Sequence, residues 1–224
     1  MTARLALAII ALASGLASAD PAPRAASEPP PANQLKGEAR GAAIDPVFAL
    51  FKVDRLSCKF TEAKHVALLA RPLRSTGTIF FDRDQGIARA TRTPKPQQVV
   101  LTRTTLRIRT AGHTEEIPLD KSQDLKAFAL IFPTLLRGER VELERSFELV
   151  QFGSEHDQWA LDFKPRTESL RKLIQRVVVF GKQGEVTGLK VIEASGDTTD
   201  TLLTEVRRNA DVPDAELTAA FGAP

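Results

Sequence analysis

The segment at residues 75–81, Ser-Thr-Gly-Thr-Ile-Phe-Phe, constrains the fold of this chain more than any other. A strand with one wet face alternates apolar and polar residues. Here Ile79, Phe80 and Phe81 follow one another without a break. Both faces of the strand must therefore meet apolar material. Gly77 lies inside the same strand, and an interior glycine marks a bend or the close approach of another group. The pattern implies a sheet curled around an apolar interior. Just upstream, Leu56, Cys58 and Phe60 alternate with Arg55, Ser57, Lys59 and Thr61, as in a half-buried strand. A basic, proline-marked link joins the two segments.

Further short segments of strand type follow at 87–91, 97–102, 106–110, 115–119, 145–152, 158–164, 177–180, 186–194 and 198–207. Turn signals separate them, among them Gly181-Lys182-Gln183-Gly184 and Ser195-Gly196-Asp197. Sequential hairpins favour one antiparallel, strongly curved sheet. Helical signals are fewer. Residues 43–51 read as a short amphipathic helix with Asp45 as N-cap and Pro46 at the first helical position. In residues 123–136, Leu125, Phe128, Ala129, Phe132, Leu135 and Leu136 recur at helical spacing. Pro133 should break that helix near 131–132, and Gly138 should end it. Residues 170–175 can begin helically before the strand at 177–180, and the tail can form one helical turn over 217–221. The 123–136 helix is too apolar to face water alone. The expectation is a mainly β (α+β) fold, an incomplete β-barrel of about ten to eleven strands covered by a helical lid.

The start of the chain reads differently. Residues 1–19 carry Arg4, an apolar run and Ala17-Ser18-Ala19, the pattern of a secretory signal peptide. Residues 20–42 form a Pro/Ala-rich leader, expected to be disordered, and residues 43–224 a single domain. The formal net charge of +3 is near balance and by itself points to no nucleic-acid or membrane partner. With one cysteine, Cys58, no internal disulfide is available, so 42% apolar residues must supply the stability through a core.

Signals for catalysis or metal binding are weak. His65, His113 and His156 have no ligand-type spacing to Cys58 or to one another. Cys58 and His65 would form a nucleophile pair only if the strand brought them together. Glu115-Glu116 reads as a solvated hairpin edge, and no phosphate-cradling glycine motif occurs. No catalytic residue, metal or cofactor is expected. Arg89, Arg92, Lys95, Arg103, Arg107 and Arg109 form a basic region, read as a solvated outer sheet face or as a docking patch for an acidic partner.

The order of motifs resembles the periplasmic outer-membrane lipoprotein carrier family (LolA-like), as a divergent member. The resemblance rests on the early helix, Phe60-Thr61-Glu62, Arg71-Pro72-Leu73 leading to Ser75-x-Gly77-x-Ile79-Phe80-Phe81, the apolar helix before Gly138, Trp159-x-Leu161 with Pro165, and Gly196-Asp197-x-Thr199 leading to Asn209. It implies an apolar cavity that shelters acyl chains in the periplasm, between an inner-membrane donor and an outer-membrane acceptor. It also implies a lid-gating arginine, at Arg83. In this chain Asp82 and Asp84 flank that arginine, and Arg89 replaces the family's tryptophan. The lipid-binding candidates are Leu56, Phe60, Ile79, Phe81, Phe128, Phe132, Leu135, Trp159, Leu161 and Phe163. The expected partner is an acylated lipoprotein or other lipid, bound by a monomer, with no nucleic acid. The alternative is a periplasmic interaction or sensor module using the same curved sheet to dock a protein.

Overall fold

The computed structural model describes residues 35, 37–121, 123–154 and 156–222. The expected signal peptide and most of the expected leader lie outside the described residues. Twelve strands form one antiparallel sheet in the order β1-β8-β9-β10-β11-β12-β2-β3-β4-β5-β6-β7, and its two edges do not pair with each other. The strands are β1 (Glu38–Ala39), β2 (Arg55–His65), β3 (Leu73–Asp82), β4 (Gly86–Thr93), β5 (Gln97–Leu101), β6 (Thr105–Thr110), β7 (His113–Pro118), β8 (Phe147–Gly153), β9 (Gln158–Pro165), β10 (Ile174–Lys182), β11 (Glu185–Glu193) and β12 (Thr198–Arg208). The twelfth strand is β1, from the segment read as leader. Glu38 and Ala39 pair with Phe152 and Gln151, so the end of that segment belongs to the sheet. Among the described residues, no helix is long and apolar enough to cross a membrane.

The helices are α1 (Asp45–Ala49), α2 (Gln123–Ala129), α3 (Ile131–Leu136), α4 (Arg140–Ser146), α5 (Glu168–Arg171) and α6 (Asp214–Phe221). Asp45 is the first residue of α1 rather than its cap, and its carboxylate instead accepts from Arg140 Nε at 2.6 Å. The apolar run at 123–136 is two helices. The break falls at Leu130, earlier than expected, which places Pro133 inside the first turn of α3, where a missing N–H costs no helical bond. Gly138 ends the run at φ +72°, in the left-handed region that suits glycine. Helix α4 had no clear signal in the sequence; it is short and half polar, held by Arg140 to Glu144 (2.5 Å) and Asp45.

The Ile79-Phe80-Phe81 run is explained by the two faces of β3. Phe81 and Ile79 point into the curve of the sheet, and Phe80 points outward. There it meets α6, which lays Leu217, Ala220 and Phe221 over Ala88 and Val100. Gln98 Nε2 donates to Ala220 O at 2.6 Å and Arg207 pairs with Glu216, fixing the helix in place. Gly77 is required for packing: a Cβ there would lie 2.1 Å from Ala90 O and 2.8 Å from the Phe60 ring. The main core fills the other half of the curve. It gathers Phe48 and Phe51, Phe128, Ile131 and Leu135 from the helices, and Trp159, Leu161 and Phe163 from β9. Trp159 lies flat across Gly181, where a Cβ would come within 2.0 Å of its ring.

Candidate functional site

Opposed residues of paired strands share a face, so the registers define rows across the concave side. One row runs Leu56, Phe81, Ile87, Leu101 and Leu106. The next runs Cys58, Ile79, Arg89, Val99 and Ile108. Beneath α2 and α3 these rows leave a cavity of about 100 Å³. Leu56, Cys58, Ile79, Ile87, Val99 and Leu101 line its sheet side, continued by Leu203 and Val206 of β12. Ala129, Phe132, Leu135 and Leu136 line it from the helices. Apart from Arg89, Thr201 and Arg208, its wall is apolar.

The ten lipid-binding candidates divide by position. Leu56, Ile79, Phe132 and Leu135 line the cavity. Phe60 lies at its edge, with the Arg89 guanidinium 4.1 Å above the ring centre. Phe81 is fully buried in the floor with Val53, Leu56 and Cys58. Phe128, Trp159, Leu161 and Phe163 pack in the main core. Sequence reasoning passed over Ile87, Val99, Leu101 and Leu203. Their alternation was visible, but short segments with several polar neighbours gave no sign of which face was concave.

Arg89 was read with the basic region on an outer face. It points inward instead and is buried. Its guanidinium makes a bidentate pair with Glu62, NH1 to Oε2 at 3.0 Å and NH2 to Oε1 at 2.9 Å. Glu62 also accepts from Thr201 Oγ1 at 3.1 Å and Ser75 Oγ at 3.1 Å. The inward turn follows from register: Arg89 stands opposite Ile79, which faces the cavity. The other basic side chains of that region fall on other parts of the surface; Arg107 reaches Glu116 at 3.6 Å and Arg109 donates to Gln98 at 3.0 Å.

Arg83 follows β3. Its guanidinium donates to Asp54 Oδ1 at 2.7 Å and to Val53 O at 3.2 Å, both in the segment entering β2. Its link to the lid is its own carbonyl, which accepts from Arg137 Nε (3.3 Å) and NH2 (3.2 Å). Arg137 caps the end of α3, stands 5.8 Å from the Phe81 ring centre and is buried. That burial, with Arg103 nearby, holds its guanidinium below the usual arginine range. A second tie joins Val53 N to Leu136 O at 3.3 Å.

Cys58 faces the cavity, and burial pushes its thiol up to about 12, so it is a poor nucleophile. His65, an odd number of positions away on the same strand, takes the opposite face and lies 4.0 Å from Asp200. The two do not meet. Among the described residues no group of three or more His, Cys, Asp and Glu side chains could hold a metal ion.

A family model described as "Outer membrane lipoprotein carrier protein LolA-like" matches residues 39–222. No curated protein matches the chain. Among solved structures, a LolA superfamily protein from Nitrosomonas europaea matches at a TM-score of 0.43 and 11% identity, over 79% of this chain and 96% of its own. A DUF1329 family protein from Desulfovibrio piger matches at a TM-score of 0.43 and 10% identity, over 79% and 98%. The Pseudomonas aeruginosa MucA/MucB complex matches at a TM-score of 0.40 and 13% identity, over 78% of this chain and 58% of that one. With nearly all of its described domain inside the matched span, the chain belongs to the outer membrane lipoprotein carrier protein LolA-like family.

Proposed function

We propose that this protein is a periplasmic, non-enzymatic carrier that shelters the acyl chains of a lipoprotein or other lipid on the way to the outer membrane. The observation that carries this reading is the apolar cavity between the sheet and the α2–α3 lid. Exposing an acyl chain to water costs about 0.8 kcal/mol per CH₂, so a dry cavity under a movable cover both holds and releases it. At about 100 Å³ the cavity is smaller than the roughly 150 Å³ that accommodates one benzene, so cargo must enter by displacing the lid. Phe128, Ile131 and Leu135 anchor the lid in the main core, and polar contacts tie its end to the sheet: Arg137 to the Arg83 carbonyl, and Val53 to Leu136. Arg83 acts in this scheme as the fixed end of the gate, and Arg137 as its moving side chain.

The test is direct. Protein released gently from the periplasm is analysed by mass spectrometry for bound lipid, and the delipidated protein is titrated with a fluorescent fatty acid. Bound lipid and saturable uptake are expected. Their joint absence sinks the carrier reading.

A second reading, docking of a protein partner, is supported by a different feature. The link between β2 and β3 presents Leu68, 94% exposed, beside the exposed Leu69 and Arg71. Two adjacent exposed leucines at a loop tip offer apolar surface that a partner could cover. A carrier that binds lipid normally after Leu68→Glu but no longer captures its partner would combine both readings.

A further inference from the structure

The concave face changes character beyond the cavity. The row after Cys58, Ile79 and Arg89 runs Leu203, Phe60, Gly77, Thr91 and Gln97. The row after that runs Leu189, Thr201, Glu62 and Ser75. Thr91, Gln97, Thr201, Glu62 and Arg89 are all more than nine-tenths buried. Glu62, Arg89, Thr201 and Ser75 satisfy one another, and Arg89 and Thr201 border the cavity itself. Thr91 and Gln97 differ. Thr91 Oγ1 and Gln97 Oε1 are buried and have no hydrogen-bond partner. They stand opposite each other on β4 and β5, each two residues along its strand from a cavity-lining side chain, Arg89 and Val99.

A buried polar group without a partner is costly, and an apolar side chain of the same shape would remove that cost. Two such groups side by side at the border of an apolar cavity point to a ligand that completes them. Gln97 Oε1 can only accept, so the ligand must donate an N–H or O–H. The Thr91 hydroxyl can donate to a ligand oxygen. Charge sets a second limit. Arg89 is matched by the bidentate carboxylate of Glu62, and Lys64 by Glu193 at 2.8 Å. The other cavity-lining cation, Arg208, stands in the Leu56 row, two rows away, and donates to Gly184 O at 3.4 Å. An anionic head group at Thr91 and Gln97 would therefore enter as an uncompensated buried charge.

Building on the carrier reading, we propose that Thr91 and Gln97 form a head-group subsite for a neutral lipid whose acyl chain occupies the cavity. The head group both donates and accepts a hydrogen bond, as an amide or an alcohol does. A hydrocarbon lacks both properties, and an ester or a carboxylate accepts but does not donate. The Glu62–Arg89 pair, stacked on Phe60, forms the rigid wall between the chain and the head.

The experiment displaces a neutral fluorescent probe, N-phenyl-1-naphthylamine, from the full-length mature protein with dodecanamide, dodecanol, methyl dodecanoate and dodecanoate. The amide and the alcohol are expected to compete about tenfold better than the ester, the effect of one buried hydrogen bond. The amide and alcohol arms separate the two sources of the donor. In Thr91→Val/Gln97→Leu the advantage should vanish, while the ester loses no more than the one hydrogen bond that Thr91 donates. The milder Gln97→Met serves if the double variant does not fold, and circular dichroism reports folding in each case. Equal competition by all four ligands, an advantage for dodecanoate, or a preference that survives both variants overturns the head-group subsite alone. Failure of all four to displace the probe overturns the carrier reading with it.

Discussion

Two regions of one concave face are built from the same strands and solve opposite problems. At one end, Leu56, Cys58, Ile79, Ile87, Val99 and Leu101 line a cavity under the helices. At the other, Glu62, Arg89, Ser75 and Thr201 fill theirs with charge and hydrogen bonds. The first region loses packing contacts and the second bears the desolvation of a buried ion pair. Neither arrangement maximises stability. A core of well-packed leucines in both places would be simpler, so the contrast teaches that this face is shaped for something other than holding the sheet together.

The sharpest way to break the comparison is at the ion pair. Glu62→Ala leaves Arg89 buried without its carboxylate and should destabilise the fold by about 3–5 kcal/mol in urea denaturation. The double change Glu62→Met/Arg89→Met should recover most of that loss, because removing both charges removes the desolvation cost. If the double variant is as unstable as the single, the polar end is a stability element and the contrast collapses.

The apolar end is probed next. Leu135→Ala should cost about 2–5 kcal/mol, since Leu135 also belongs to the main core. Ile79→Ala should cost less, because one side of Ile79 faces the cavity rather than packed side chains. Both should raise the capacity for a fluorescent acyl chain. Equal costs at the two positions would mean that the cavity collapses around its lining.

The lid separates Arg83 from Arg137. Arg137→Met removes both donors to the Arg83 carbonyl and should destabilise by about 1–2 kcal/mol while speeding acyl-chain uptake in stopped flow. Arg83→Ala keeps that carbonyl and should change uptake less. The reverse order would assign the gate to the Arg83 side chain.

The smallest effect belongs to Cys58. Its thiol is raised from 9.0 to about 12 by burial, so the folded state holds a proton that the unfolded state releases first. The contribution is fully present below pH 9 and is lost as pH rises from there toward 12. Cys58→Ala should flatten that part of the alkaline stability profile, and iodoacetamide at pH 8 should label Cys58 only after denaturation.

Much of the fold was legible. Alternation and turn signals together located segments of eleven strands, most clearly where a half-buried strand such as β2 writes its burial into every second residue. The exception, β1, has two residues, too few for a period. Strand ends were less visible for a related reason. The segment from Arg55 was read as ending at Thr61, yet β2 runs to His65. Its inward residues there are Glu62 and Lys64, so the apolar signal stops while the hydrogen-bonded ladder continues. The candidate site was half legible. Aromatic residues suggested a binding surface, but a large ring is as suited to filling a core as to lining a hole, and Phe128, Trp159 and Phe163 fill one.

By itself the sequence determined the class of fold, through period-two segments, tight turns and one apolar helical run, which are local properties of the chain. The Ile79-Phe80-Phe81 run also correctly required apolar partners on both faces of β3. Only the tertiary structure decided what those partners are. Phe80 is covered by α6 from the far end of the chain, and Ile79 faces a cavity closed by α2 and α3. The same holds for Arg89, whose inward direction depends on pairing with β3 and whose tolerance there depends on Glu62, 27 residues away in the chain. Alternation tells which residues share a face; the curvature of the sheet and the packing of distant helices decide which face encloses the site.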